Sequence, residues 1–154
     1  MTRDVIISIK GLQFEAGEDE SVELIATGQY FYKNQKHYVL YEEVIGDEDQ
    51  QGGISKNTIK ISNQQVDIIK DGCASVHMIF EVDKKNMTYY NMPFGNILIG
   101  IYTNKIAVKE EDNQIEVQLE YDLEVNYTHV SECTISIKVL SKEAAATILS
   151  GFNA

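Results

Sequence analysis

His37 and the tyrosines around it are the residues of this chain best suited to chemistry. The stretch GQYFYKNQKHYVLYEE, Gly28 to Glu43, holds four of the nine tyrosines and one of the three histidines. An imidazole beside a phenol can donate to a ligand or pass a proton, because histidine changes charge near neutral pH. Two such residues without a nucleophile do not make a mechanism, so no catalytic residue is assigned and an enzyme ranks third among the readings. His77 and His129 are remote from His37, and no histidine pair has the i, i+2 or i+4 spacing of a metal site. Glu42, Glu43, Asp47, Glu48 and Asp49 form an acidic run without the DxDxDG spacing of a calcium loop, and a solvated loop accounts for it. Cys73 and Cys133 lack CxxC spacing, which points to reduced thiols rather than a zinc or redox site. No metal and no cofactor is expected.

These side chains sit on a chain whose composition narrows its class. The 154 residues suit a single domain, 1–154, large enough to bury a core, with 44% hydrophobic and 24% charged residues. A formal net charge of -11 speaks against nucleic acid and against an anionic membrane leaflet, both of which reward basic surfaces. No apolar run approaches the roughly 20 residues of a membrane-spanning helix, and the start MTRDVIISIKG does not read as a signal peptide. The expected compartment is the cytoplasm.

Period-two alternation runs through the chain. In QIEVQLEYDLEVNY, Gln114 to Tyr127, every odd position is apolar or aromatic and every even position is polar. Side chains alternate across a strand, so this is a long strand with one buried and one wet face, as antiparallel sheets have. Strands are predicted near Asp4–Leu12, Ser21–Lys33, Lys36–Ile45, Thr58–Ser62, Val66–Lys70, Ser75–Val82, Met87–Asn91, Ile97–Lys109, Gln114–Tyr127 and Glu132–Leu140. The loop Gly46 to Asn57 separates two of them, and MPFG, Met92 to Gly95, breaks one strand and aims the next. Only Ser141–Phe152 reads as helix, with Ser141 as N-cap and Gly151 as terminator. Long meandering strands favour an all-β, antiparallel up-and-down barrel, since closure removes exposed edges.

Taking Asn34 and Gln35 as a two-residue type I′ turn pairs Tyr32 with His37, Phe31 with Tyr38 and Tyr30 with Val39. One face then carries Val22, Leu24, Ala26, Gly28, Tyr30, Tyr32, His37, Val39, Tyr41 and Ile45, and its low charge places it inward. Tyr121 on the late strand is expected to share that interior. Buried hydroxyls need partners, so two readings stay open: an ordinary core with satisfied tyrosines, or a cavity for a small amphipathic ligand contacted by Tyr30, Tyr32, His37, Tyr41 and Tyr121. Phe31, Tyr38 and Leu40 face outward as an apolar patch. It is either covered by Ile148, Leu149 and Phe152 of the same chain or used as a homodimer interface.

The succession GQYFYKNQKHYVLYEE, NTIKIS, MPFGNILIGIYTNKI and IEVQLEYDLEVN resembles the YwiB-like family of uncharacterised bacterial proteins over nearly the whole chain. That family is similar to the calycins, the lipocalin-like barrels. The resemblance implies an up-and-down barrel of about eight strands, some of the ten stretches being halves of one bent strand. Calycins mostly bind small hydrophobic molecules, but the GxW signature of secreted lipocalins is missing because the chain has no tryptophan. A fold does not dictate a function. The expectation is therefore an interior-binding barrel for a small, partly apolar ligand, with a filled, interacting or dimerising barrel as the alternative.

Overall fold

The computed structural model describes residues 3–11, 23–44 and 53–143. Ten antiparallel strands follow one another round a closed ring: β1 (Asp4–Lys10), β2 (Glu23–Lys33), β3 (Lys36–Val44), β4 (Ile54–Ile61), β5 (Gln65–Asp71), β6 (Ser75–Glu81), β7 (Lys85–Met92), β8 (Gly95–Glu111), β9 (Gln114–Val125) and β10 (Thr128–Ser141). Each strand neighbours its successor and β10 returns to β1, with Ile7 opposite Val139. The meander is thus closed by its ends, which leaves no long free edge.

The strand count corrects the expectation of about eight. The ten alternating stretches are ten separate strands, because genuine turns divide them: Asn34 and Gln35, Asp83, and Asn126 and Tyr127 all take the positive φ that reverses a chain tightly. Ile54–Asn57, assigned to a loop from sequence, opens β4. Its inward Ser55 and Asn57 are polar and interrupt the hydrophobic alternation, yet both are buried and bonded to each other, Ser55 Oγ to Asn57 Oδ1 at 2.6 Å. Ser141, expected to cap a helix, instead ends β10 and pairs with Val5. The remainder of the predicted helix from residue 144 on lies outside the described residues, as do residues 46–52 of the loop and the covering side chains Ile148, Leu149 and Phe152. No helix among the described residues is long and apolar enough to cross a membrane.

The inward faces alternate as strand geometry requires. Val5, Ile7 and Ile9 of β1, Ile59 and Ile61 of β4, Val66 and Ile68 of β5, Met78 and Phe80 of β6, Ile115, Val117, Leu119, Tyr121 and Leu123 of β9, and Ile135, Ile137 and Val139 of β10 are all buried. Branched and aromatic side chains from every side fill the interior, and Phe80 meets Tyr121 edge-on with ring centroids 5.1 Å apart. One seam is weak. β6 and β7 pair only at Ser75 and Asn91, and the Asn86 amide donates to the Ile79 carbonyl at 3.2 Å in place of a ladder bond.

β8 is the longest strand at 17 residues, and it is bent. A bulge between Thr103 and Lys105 leaves Asn104 unpaired with β9. Here Asp83 N–H donates to the Thr103 carbonyl at 2.9 Å, so the β6–β7 turn braces the bend. β7 begins opposite Tyr102, so β8 beyond the bulge is paired only with β9. Bulges bend and twist a strand. The free half of β8 can therefore lean over one end of the barrel.

Candidate functional site

At that end, three side chains form a continuous hydrogen-bonded chain. Tyr30 on β2 and His37 on β3 face the same way in the hairpin, with Tyr30 opposite Val39 and Tyr32 opposite His37 in the predicted register. The turn between them is type I′ in character, with φ of 53° at Asn34 and 63° at Gln35. Tyr30 Oη lies 2.6 Å from His37 Nδ1, and His37 Nε2 lies 2.7 Å from Glu110 Oε1. The imidazole thus bridges a phenol and a carboxylate through its two ring nitrogens, with the tautomer setting which nitrogen donates.

Glu110 arrives from the opposite side of the ring. Four strands separate β3 from β8 by either route round the barrel, so the contact spans its end rather than following its wall. The lean of β8 makes the contact possible. His37 is 8% exposed and is held between the other two, whereas the Glu110 side chain is 54% exposed. Burial raises the pKa of the Tyr30 phenol, and the charge of Glu110 and the nearby Tyr32 push in the same direction. Tyr30 thus stays a neutral donor.

Over this chain lies an open cavity of about 490 Å³ lined by Tyr32, Gln35, His37, Ser62, Asn63, Gln64 and Glu110. Its size falls within the ordinary range of small-molecule sites. The Tyr32 ring stands 5.0 Å from that of His37 and is 61% exposed. Ser62 closes the β4–β5 turn by donating to the Gln65 carbonyl at 3.0 Å, which leaves Asn63 and Gln64 exposed at the rim.

Tyr30, Tyr32 and His37 therefore meet at the barrel mouth, while Tyr41 and Tyr121 lie elsewhere, in the packed interior at 3% and 2% exposure. The Tyr121 phenol is driven strongly upward in pKa by burial, with Cys133 against it. Tyr41 is likewise pushed up by burial and by Glu43, and Asn57 opposes the shift slightly. Even so, the Tyr41 hydroxyl has no hydrogen-bond partner of ordinary geometry. Its neighbours are engaged with one another, Asn57 Nδ2 donating to Glu43 Oε1 at 2.5 Å with Lys70 Nζ 3.4 Å from the same oxygen.

The remaining chemical groups are dispersed. His77 pairs with Asp67 at 2.7 Å and His129 approaches Asp122 at 3.8 Å. Neither cysteine forms a disulfide. Among the described residues, no group of three or more His, Cys, Asp or Glu side chains is placed to hold a metal ion.

Sequence patterning missed Glu110, since the predicted strand stopped at Lys109, and did not single out Gln35, Ser62, Asn63 or Gln64 as site residues. A signal for Glu110 was present. The inward phase of β8 runs on odd positions through Ile97, Ile99, Ile101 and Thr103, then on even positions through Ile106, Val108 and Glu110. Such a change of phase within one strand marks a bulge. Across the ring, however, no local pattern indicates which residue Glu110 meets.

A family model described as a domain of unknown function, DUF1934, matches residues 7–137. The chain belongs to that family. It is 23% identical over 134 residues to the uncharacterized beta-barrel protein YwiB of Bacillus subtilis (strain 168), an alignment covering 86% of this chain and 91% of that protein. The crystal structure of the ywiB protein from Bacillus subtilis superposes with a TM-score of 0.73 at 21% identity, covering 90% of this chain and 92% of the other. At that identity the likeness speaks for the shared barrel fold alone.

Proposed function

We propose that the protein binds a small, partly apolar molecule, and that it does so at the mouth of the barrel rather than deep inside. One observation carries the reading: the Tyr30–His37–Glu110 chain lies under an open cavity of about 490 Å³ with the exposed Tyr32 ring at its side. Polar groups held by one another at the floor of a concave site are oriented before a ligand arrives, which reduces the cost of binding. Tyr41 and Tyr121, sealed in the interior, take no direct part on this reading.

Native mass spectrometry of freshly purified protein tests it. A mass above that of the polypeptide, lost on denaturation and lost in the Tyr32→Ala and Glu110→Ala variants, is the expected result. Extra mass that survives both substitutions would move the ligand away from the mouth.

A second reading has its own observation. The outward faces of β2 and β3 leave Ile25, Phe31, Leu40 and Val44 exposed at 66%, 36%, 39% and 84%. Arg3 lies over Phe31 at 5.1 Å and Lys60 over Tyr38 at 5.8 Å, which only partly shields the aromatic rings. An apolar face of this kind suits a second copy of the chain. On this reading the wild type sediments as a dimer and Leu40→Lys as a monomer; a monomeric wild type at high concentration would remove the reading.

A further inference from the structure

The walls of the mouth differ in chemistry from the interior, and the difference selects among ligands. The lining contains Glu110 and no lysine or arginine. Lys33 and Lys36, which flank the hairpin turn, pair with each other one step out of phase with Tyr32 and His37, and so project from the outer face. Lys109 is likewise outward and lies 3.4 Å from Glu111. No lysine or arginine of the described residues therefore lines the cavity. Glu110 gives Oε1 to His37, while Oε2 has no hydrogen bond among the described residues on a side chain that is 54% exposed. The amides of Gln35, Asn63 and Gln64 add carbonyl acceptors, along with NH2 donors, to the rim. Tyr32 supplies an open aromatic surface.

Building on the mouth as the binding site, we propose that it takes a small planar organic cation of the amidinium or guanidinium class, with its charged end on Glu110 and its flat body against Tyr32. A planar fork of donors matches a carboxylate oxygen and a neighbouring amide carbonyl better than a point charge does. An aromatic ring favours a cation over its face. An anion would meet the Glu110 carboxylate with no lysine or arginine in the lining to compensate it, which is a penalty rather than a lost contact. The net charge of -11 further raises the local concentration of cations around the molecule.

Benzamidinium, benzamide and benzoate share one shape and differ in charge, so they separate this inference from mouth binding in general. Each is titrated into the full-length protein at pH 7 and followed by amide chemical shifts. Benzamidinium is expected to move the resonances of Tyr32, Gln35 and Ser62 to Gln64, and to bind about tenfold or more tightly than the other two. Glu110→Gln should lower that affinity by about tenfold, bringing it close to benzamide. Tyr32→Ala should weaken all aromatic probes, and Tyr32→Phe should restore them. Retained shift dispersion in each variant verifies that it folds. Benzamide or benzoate binding at the same residues as tightly as benzamidinium would overturn the inference while leaving a mouth site. No shift at the mouth with any of the three would overturn it as well, and the mass of the copurified complex would then judge mouth binding separately.

Discussion

Tyr41 carries the oxygen that the barrel interior accommodates worst. Its ring is 3% exposed and its hydroxyl has no partner of ordinary geometry, so folding strips water from Oη without replacing it. Tyr41→Phe is therefore expected to leave stability unchanged or raise it by up to about 1 kcal/mol, as read from urea unfolding midpoints. A loss of more than that would show that Oη is bonded in solution. His37 presents the opposite case, since both ring nitrogens are engaged and only one exposed end of the chain, Glu110, touches solvent freely. Removing its ring strands Tyr30, whereas replacing Glu110 by Gln keeps an acceptor for Nε2–H. This difference is why Glu110→Gln serves as the charge-specific variant at the mouth.

Among the elements, the β2–β3 hairpin shows a compromise in its turn. Asn34 tolerates the left-handed region, but Gln35 has φ 63° and a side chain that is sterically disfavoured there. Gln35→Gly is expected to stabilise the protein by about 1 kcal/mol and raise Tm by about 2–4 °C in calorimetry. An unchanged or lower Tm would mean that the Gln35 side chain, which lines the mouth, contributes contacts that offset the strain. The bulge in β8 is the other decisive element. By shifting the inward phase at Asn104 it turns Glu110 toward His37, so the site depends on one extra residue a few positions before Glu110 and far from His37 in sequence.

At the scale of the whole molecule, the two interior tyrosines make the barrel sensitive to alkali. Burial raises the phenol pKa of both Tyr41 and Tyr121 above the ordinary value of 10.0. The folded state then holds protons that the unfolded state releases, so their contribution is intact below pH 10 and is lost as the pH rises through the folded values. Above pH 10, stability should fall by roughly 1.4 kcal/mol per pH unit for each of the two groups. Urea midpoints between pH 9 and 11 measure this slope, and the double variant Tyr41→Phe, Tyr121→Phe should flatten most of it. A slope unaffected by the double variant would assign the alkaline limb to other groups.

Alternation and turn chemistry determined much of the fold before any tertiary contact was considered. The strand expected over Gln114–Tyr127, which ends at Val125 because Asn126 and Tyr127 turn the chain, the Asn34–Gln35 turn with its register, the break at Pro93 and the inward face of the β2–β3 hairpin follow from side-chain period and local φ preferences. These are properties of neighbouring residues, so the sequence carries them directly. The number of strands in the ring did not follow, because it depends on whether a polar interruption is a loop or a strand with bonded polar residues, as at Ser55 and Asn57. The partition of the tyrosines was equally hidden. Alternation puts Tyr30, Tyr32, Tyr41 and Tyr121 on inward faces, but depth along the barrel axis decides which meet solvent at the mouth and which are sealed inside. Glu110 was the least legible of all. Its meeting with His37 spans 73 residues and the width of the barrel, and only closure of the ring with a bent β8 brings the carboxylate within hydrogen-bond distance.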